Sequence, residues 1–229
     1  MGAIRVRAGK PDYSDLPDQN FDWMNTTYGN VEEIVPKDIP TALGKEVVLT
    51  AFVDANLYHD LITGRSVIGI LHLINQTPID WFTKRQATVE TATCGSEFVT
   101  ARIATDQIVD LRLTLRYLGV PVESSTYLFG DNESVITSST IPHSSLSKRH
   151  NALAYHRVRE AIAAKIVKFY HINGKDNPAD VLSKHCGHPQ MWPHVRPLLF
   201  YSGETSDIQD TKKQDNVTSE EKDDGVQGT

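Results

Sequence analysis

The chain has 229 residues, of which 39% are hydrophobic and 23% charged, and its formal net charge is −6. This composition can supply one sizeable hydrophobic core, and no apolar run reaches the roughly 18 residues that a transmembrane helix needs, so we expect no membrane partner. The two cysteines, Cys94 and Cys186, are too few for a disulfide framework, which predicts a reducing, intracellular location, cytoplasmic or nuclear.

The charge is distributed unevenly and divides the chain into three parts. Residues 1–45 have a net charge of −2 and four prolines, and we interpret them as a partly ordered lead-in or linker, with one loosely packed short helix over residues 21–28. Residues 46–202 have a net charge of +1 and form the predicted folded domain. Residues 203–229 have a net charge of −5 and one large apolar side chain, which predicts a disordered acidic tail.

The first half of the domain predicts three antiparallel strands and a long helix. Alternating and continuous apolar segments predict strands at about 46–54, 66–74 and 79–83, with turn residues between them. Apolar residues then recur at helical spacing from Thr93 to Leu118, where Gly119 and Pro121 end the helix.

The second half predicts strands alternating with helices. The predicted elements are a strand at 126–130, a helix that begins at 132–138, a helix at 149–165, a strand at 166–172 and a short helix after Pro178. The whole order predicts an α/β fold whose mixed five-stranded sheet, three antiparallel strands and then two parallel ones, is flanked by helices.

Four acidic residues occupy the places where such a fold ends its strands or begins its helices. Asp54 closes the apolar run from Val47 to Val53, and Asp131 follows the strand at 126–130. Glu97 lies near the start of the long helix, and Asp180 follows the helix-opening pair Asn177-Pro178. A single aspartate at such a place is more often a cap or a turn residue. Together, these four residues predict a cluster of carboxylates.

Converging carboxylates have a specific chemical use. Mg²⁺ prefers oxygen ligands, and two such ions about 3.5–4 Å apart can activate water and stabilise the leaving oxygen in phosphodiester hydrolysis. Clustered carboxylates also repel one another, so a cluster of this kind either binds cations or has raised pKa values. The acidic residues therefore predict a nuclease that uses two metal ions.

The segments around these acids resemble the ribonuclease H domain of copia-type retrotransposon polyproteins. The resemblance runs from about Val47 to His185, and the matching stretches, in the family's order, are FVDAN, GRSVIGILHLINQTPIDWFTKRQATVETAT, GSEFVTA, LFGDNESV, KRHNALAYHRVRE and NPADVLSK. It implies the ribonuclease H-like fold, with Asp54, Glu97, Asp131 and Asp180 as metal ligands and catalytic residues. The family usually has two acids in its second motif, and here Gly95 replaces the first.

The resemblance also implies the substrate, the cofactor and the partners. The family hydrolyses the RNA strand of RNA–DNA hybrids with two Mg²⁺ ions, for which Mn²⁺ is an alternative, and leaves 3′-hydroxyl and 5′-phosphate ends. A reverse transcriptase domain encoded upstream is the implied protein partner, and an intracellular element particle is the implied location. Two other hypotheses stay open: a catalytically idle remnant of an element, and a non-enzymatic module that binds nucleic acid.

Basic residues around the predicted helix at 149–165 indicate where nucleic acid binds. We predict that Lys148, Arg149, His156 and Arg157 contact backbone phosphate, although a solvated helix surface is the alternative. His171, nine residues before Asp180, is a weak candidate for assisting catalysis.

Two aromatic residues and a short histidine-containing stretch receive structural interpretations. Trp81 and Phe82 are expected to fill the edge of the sheet, with base stacking as the less favoured alternative. His185 to His188 are spaced too tightly for the usual zinc motifs.

Overall fold

The computed structural model describes residues 9–122, 124–146, 149–185 and 187–199. The strands are β1 (Leu49–Asp60), β2 (Arg65–Ile74), β3 (Thr77–Arg85), β4 (Thr126–Gly130) and β5 (Val167–His171). The helices are α1 (Thr93–Tyr117), α2 (Glu133–Thr140), α3 (Ala152–Ala163), α4 (Asp180–Ser183) and α5 (His188–Leu199), with short 3₁₀ turns at Arg149–Asn151 and Gly174–Asp176.

The five strands form one mixed sheet in the order β3-β2-β1-β4-β5. β1, β2 and β3 are antiparallel neighbours, while β4 and β5 run parallel to β1. Tight hairpin turns need residues with positive φ, and Gly64 and Asn75 provide them at φ values of 67° and 54°. The predicted fold class is therefore confirmed.

β1 is longer than the sequence predicted. Asp54 was expected to be the last residue of this strand, but the strand continues to Asp60 and Asp54 lies near its middle. The pairing of β1 with β2 explains the difference, because it continues past Asp54 through Ala55 and Asn56 toward the hairpin turn. The carboxylate of Asp54 therefore projects from within a strand that is paired with β2 both before and after this residue.

The main core lies between the sheet and the helices α1 and α3. Ala51 and Val53 of β1 and Ile70 of β2 are fully or almost fully buried, as are Ile108 of α1 and Val158 of α3. The small residues of α1, including Ala101 and Ala104 with zero exposure, let this helix pack closely on β1. Glu97, near the start of α1, is thereby fixed over one end of the sheet.

The described residues before β1, from residue 9 onward, pack on the domain. The expected short helix is wrong, since residues 21–28 form turns. Trp23 and Tyr28 are buried in the main core, and the amide of Gln19 hydrogen-bonds both the N–H and the carbonyl of Phe169 on the edge strand β5. Glu33 forms ion pairs with Arg112 and Arg116 of α1. This segment therefore covers a sheet edge and contributes to the core.

The end of the described chain contains one helix that the sequence analysis did not predict. α5 includes Pro193 and Pro197, which normally argue against a helix interior. Within the described ranges, no helix is both long and apolar enough to cross a membrane. The predicted acidic tail, residues 203–229, lies outside the described residues.

Candidate metal centre

Three of the four predicted acidic residues converge at one end of the sheet. The parallel pairing of β1 and β4 aligns Phe52 with Phe129. Asp54, two residues later within β1, and Asp131, directly after the end of β4, therefore lie at the same end of the sheet. Glu97, in the first turns of α1, reaches the same point from the helical layer. Each of the three carboxyl groups offers an oxygen atom, and these oxygens all lie within 4.8 Å of one another. Asp54, Glu97 and Asp131 are hereafter called the acidic triad.

The triad is held by hydrogen bonds from neighbouring elements. The backbone N–H of Ala55 donates to Oε1 of Glu97 at 3.2 Å, which ties the helix side chain to β1. The Ser183 hydroxyl of α4 donates to Oδ2 of Asp54, and the Lys184 ammonium lies 3.3 Å from Oδ1 of the same carboxylate. Both carboxylate oxygens of Asp54 are therefore held by Ser183 and Lys184, which lie about 130 residues later in the sequence.

Burial and mutual repulsion make the triad costly to ionise. Burial, with the charges of Asp54 and Asp131, raises the pKa of Glu97 well above its usual range. Burial also raises the pKa of Asp54, although Ser183 and Lys184 oppose this effect. Burial and the charge of Asp54 likewise raise the pKa of Asp131. A bound cation would remove this cost, because it would neutralise the repulsion among the carboxylates.

The donor set suits a hard divalent cation. All three groups are carboxylates, and hard cations such as Mg²⁺ take carboxylate oxygens together with water and phosphate oxygens. Asp131 remains partly exposed, which leaves the triad open to solvent and substrate on that side. Among the residues that the structure describes, the triad is the one group of side chains placed to share a metal ion. Cys186, between the histidines considered for zinc, lies outside the described residues.

Asp180 lies beside the triad and not within it. The side-chain amide of Asn177 donates to the carbonyl of Val53 at 2.9 Å, so the chain just before Asp180 is attached to β1 directly before Asp54. Gly69 of β2 allows this approach, because a Cβ atom there would lie 2.6 Å from the carbonyl oxygen of Ala179. Asp180 is joined to Asp54 through Lys184, whose ammonium is 2.7 Å from Oδ1 of Asp180.

The residues predicted to bind nucleic acid have mixed surroundings. Arg149 is exposed, and Lys148 lies outside the described residues. Arg157 pairs with Asp106 at 2.8 Å and with Glu160 at 3.0 Å, so part of its charge is already neutralised. His156 is exposed and hydrogen-bonds the hydroxyl of Tyr28 through Nδ1. Their role in binding stays a prediction.

Two expectations about neighbouring side chains differ from the structure. Arg159, one of the basic residues of the predicted helix at 149–165, is 2% exposed and lies against the rings of Trp23 and Tyr155. It donates to the carbonyls of Ser138 in α2 and of Ile141 directly after α2. Trp81 was expected to fill the sheet edge, but it is 66% exposed, while Phe82 packs against the core. Alternation along β3 places these two neighbours on opposite faces.

The space left by Gly95 is occupied by a carboxylate from another position. A Cβ atom at Gly95 would lie 2.5 Å from Oε2 of Glu90. Glu90 is 5% exposed, and the same oxygen lies 3.3 Å from Nε2 of His150. The loss of an acid at position 95 is thus accompanied by a buried acid that enters from the preceding loop. Sequence reasoning missed Glu90, because this residue lies in the irregular segment before α1, where no apolar periodicity marks its position.

Sequence reasoning also missed the residues at the end of α4 that hold Asp54. Ser183, the last residue of α4, and Lys184, directly after it, contact Asp54, and Asn177 attaches their segment to β1. The spacing of Asp180 and Lys184, four residues apart on a predicted helix, was a usable signal for an ion pair. His171, the weak catalytic candidate, is exposed at the end of β5, and its ring is near enough to Asp131 to lower the pKa of that carboxyl group slightly.

The strand order is that of the ribonuclease H-like fold, and the acidic triad lies at one end of its sheet. No protein-family model matches the chain. Its homologues are retrovirus-related Pol polyproteins, as the resemblance in the sequence predicted. The polyprotein from transposon TNT 1-94 of Nicotiana tabacum is 26% identical over 141 residues, and that from transposon RE2 of Arabidopsis thaliana is 24% identical over 143 residues. Each match covers 62% of this chain and 10% of the polyprotein.

Solved structures whose backbones align with this chain include ribonuclease H domains. The N-terminal domain of Rv2228c from Mycobacterium tuberculosis has a TM-score of 0.47 at 11% identity and covers 66% of this chain and 98% of that domain. LC11-RNase H1, solved in complex with RNA/DNA hybrid, has a TM-score of 0.45 at 13% identity, with 60% of this chain and 93% of that chain covered.

Proposed function

We propose that this chain is a metal-dependent endonuclease that hydrolyses the RNA strand of RNA–DNA hybrids. The single observation that carries the proposal is the convergence of Asp54, Glu97 and Asp131 within 4.8 Å in a homologue of retrotransposon Pol polyproteins. Mg²⁺ is the proposed ion, with Mn²⁺ as the alternative. A carboxylate triad has no comparable use in a binding module, because its mutual repulsion would weaken the attraction of phosphate.

The residues of the site have distinct roles in this reaction. Asp54, Glu97 and Asp131 supply oxygen ligands, and Asp180 flanks the triad on the side of α4. Two divalent ions bound there would activate the attacking water and stabilise the leaving 3′-oxygen. Ser183 orients the Asp54 carboxylate through its hydroxyl, and the N–H of Ala55 orients Glu97. Burial of the triad lowers the local dielectric, so each electrostatic contact to the reacting phosphate is strengthened.

The proposed substrate requires discrimination between RNA and DNA strands. We propose that the 2′-hydroxyl groups are recognised in the shallow minor groove, without regard to base identity. The proposed protein partner is a reverse transcriptase domain, because the relatives are polyproteins of which this chain matches about a tenth.

A cleavage assay on a labelled RNA–DNA hybrid tests the proposal. The full chain should cut the RNA strand with Mg²⁺ and leave duplex DNA intact, while chelation should stop cleavage. Asp54→Asn keeps the side-chain shape but removes a ligand charge, so the rate should fall by about a hundredfold or more. Asp110→Asn, at an exposed position on α1, is the matched control and should cut like the parent.

The three hypotheses give different results in this assay. An idle remnant would bind hybrid weakly and cut nothing at any metal concentration. A binding module would retain hybrid on a gel shift without Mg²⁺ and would be indifferent to Asp54→Asn. Equal cleavage rates for the parent and Asp54→Asn would refute the assignment of the triad.

A further inference from the structure

The ammonium group of Lys184 lies between the triad and Asp180. It is 2.7 Å from Oδ1 of Asp180 and 3.3 Å from Oδ1 of Asp54. The Asp54 side chain is 2% exposed, whereas that of Lys184 is 36% exposed, so the lysine enters the site from its solvent side. No other lysine or arginine among the described residues forms an ion pair with a carboxylate of this site.

The charge of Lys184 acts on the whole cluster. It favours the ionised forms of Asp54, Glu97 and Asp131, and it forms a salt bridge with Asp180. A single positive charge thus offsets part of the repulsion among the carboxylates, whose pKa values stay raised in its presence. The position that it occupies, in contact with one oxygen of Asp54 and one of Asp180, is the position from which a cation would bridge these two residues.

A divalent ion and an ammonium group cannot share this position at low cost. Both would approach the same pair of oxygens, and like charges a few ångströms apart repel strongly where water is partly excluded. Lysine has a flexible four-carbon stem, so its head group can move into solvent while its Cα atom stays in place. The partial exposure of Lys184 leaves room for that movement.

We propose that Lys184 is a resident counter-cation that stabilises the metal-free site and must leave Asp54 and Asp180 before a divalent ion can bridge them. This inference rests on the proposed function, because it concerns the ions of that site. It assigns different affinities to the two sides. Lys184 forms no ion pair with Glu97 or Asp131, so a cation held by those two carboxylates would displace no protein charge, whereas a cation held between Asp54 and Asp180 would have to displace Lys184.

The test is binding of Mg²⁺ alone to the full chain, measured by calorimetry and by the shift of the melting temperature. Lys184→Met keeps the length of the side chain and removes its charge, so Mg²⁺ should bind about tenfold more tightly than to the parent. The same variant should melt at a lower temperature without metal, because the carboxylates lose their counter-charge. Lys184→Arg keeps the charge and should resemble the parent in both measurements.

A matched control and a second variant make the result decisive. Lys37→Met removes an exposed positive charge outside the site and should change neither measurement. Lys184→Gln, which keeps a polar head group, replaces Lys184→Met if the latter does not fold. Unchanged or weaker Mg²⁺ binding in the neutral variant would overturn the inference, and so would absence of binding in both the parent and the neutral variants.

The outcome is separable from that of the cleavage assay. If the parent cuts hybrid but the neutral variant binds Mg²⁺ no better, the inference fails and the proposed function stands. If the neutral variant gains Mg²⁺ affinity while neither protein cuts hybrid, the inference stands and the proposed function fails.

Discussion

Replacing Glu33 with glutamine should destabilise the domain, although this residue precedes every strand of the sheet. Glu33 accepts hydrogen bonds from Arg112 at 2.8 and 2.9 Å and from Arg116 at 2.6 and 2.8 Å. The side chain of Arg112 is 1% exposed. Glu33→Gln keeps the shape of the side chain but leaves the charge of Arg112 buried without its partner, which is the costly way to break an ion pair.

The magnitude follows from the ionisation of Glu33. Burial opposes ionisation, but the hydrogen bonds and charges of Arg112 and Arg116 outweigh it and lower the pKa from 4.5 to about 2. This difference in pKa corresponds to about 3 kcal/mol at neutral pH. The side chain of Glu33 is 18% exposed, so solvent screening reduces the expected loss to about 2–3 kcal/mol.

The sign of the pH dependence is fixed by the direction of the pKa change. Because the folded-state pKa of Glu33 is lowered, its stabilisation is fully present above pH 4.5 and is lost as the pH falls toward about 2. The difference between the parent and Glu33→Gln should therefore be constant from pH 7 to pH 5 and should shrink to less than half near about pH 3.

Urea unfolding of both proteins across this pH range measures the effect. Glu32→Gln, at the exposed neighbouring position, is the control and should change stability by no more than about 0.5 kcal/mol. If Glu33→Gln were as stable as this control at pH 7, the ion pairs of the segment before β1 would not stabilise the fold.

Three further predictions concern the site and the tail. Gly95→Ala should destabilise the parent, because the new Cβ would lie 2.5 Å from Oε2 of Glu90. In a Glu90→Ala background the same change should stabilise by up to about 1 kcal/mol, since alanine favours a helix, and chemical unfolding of the four proteins measures this reversal. Because the folded-state pKa of Glu97 is raised, the stability that it contributes is present below its unfolded value of 4.5 and is lost as the pH rises. Without metal, the melting temperature should thus fall as the pH rises through the raised pKa, and the fall should be smaller in Glu97→Gln, where only the raised pKa values of Asp54 and Asp131 still contribute; an equal fall in both proteins would contradict the assignment. Deleting residues 203–229 removes a net charge of −5, so hybrid binding should tighten at low salt and converge with the full chain at high salt. Weaker low-salt binding in a titration of the truncated protein would show that the tail takes part in recognition.

The sequence by itself determined the class of fold and the nature of the acidic site. Apolar patterns with periods of 2 and 3.6 residues are local. They predicted the bounds of β4, which precedes Asp131, and of α1, which contains Glu97, to within a few residues. The sequence motifs around Asp54 and Asp131 then indicated a resemblance to ribonuclease H domains. The length of β1 was beyond this reasoning, because pairing with β2 extends that strand past Asp54.

Only the tertiary structure decided which side chains complete the site and how the segment before β1 is held. Lys184 and Ser183 meet Asp54 about 130 residues away in the sequence, and no local pattern encodes a contact at that separation. Trp23 and Glu33 lie in a segment rich in turns, whose burial depends on surfaces that form only when α1 and α3 pack on the sheet. Periodicity reports the faces of regular elements, whereas an irregular segment is stabilised by individual contacts, and these exist only in the folded chain.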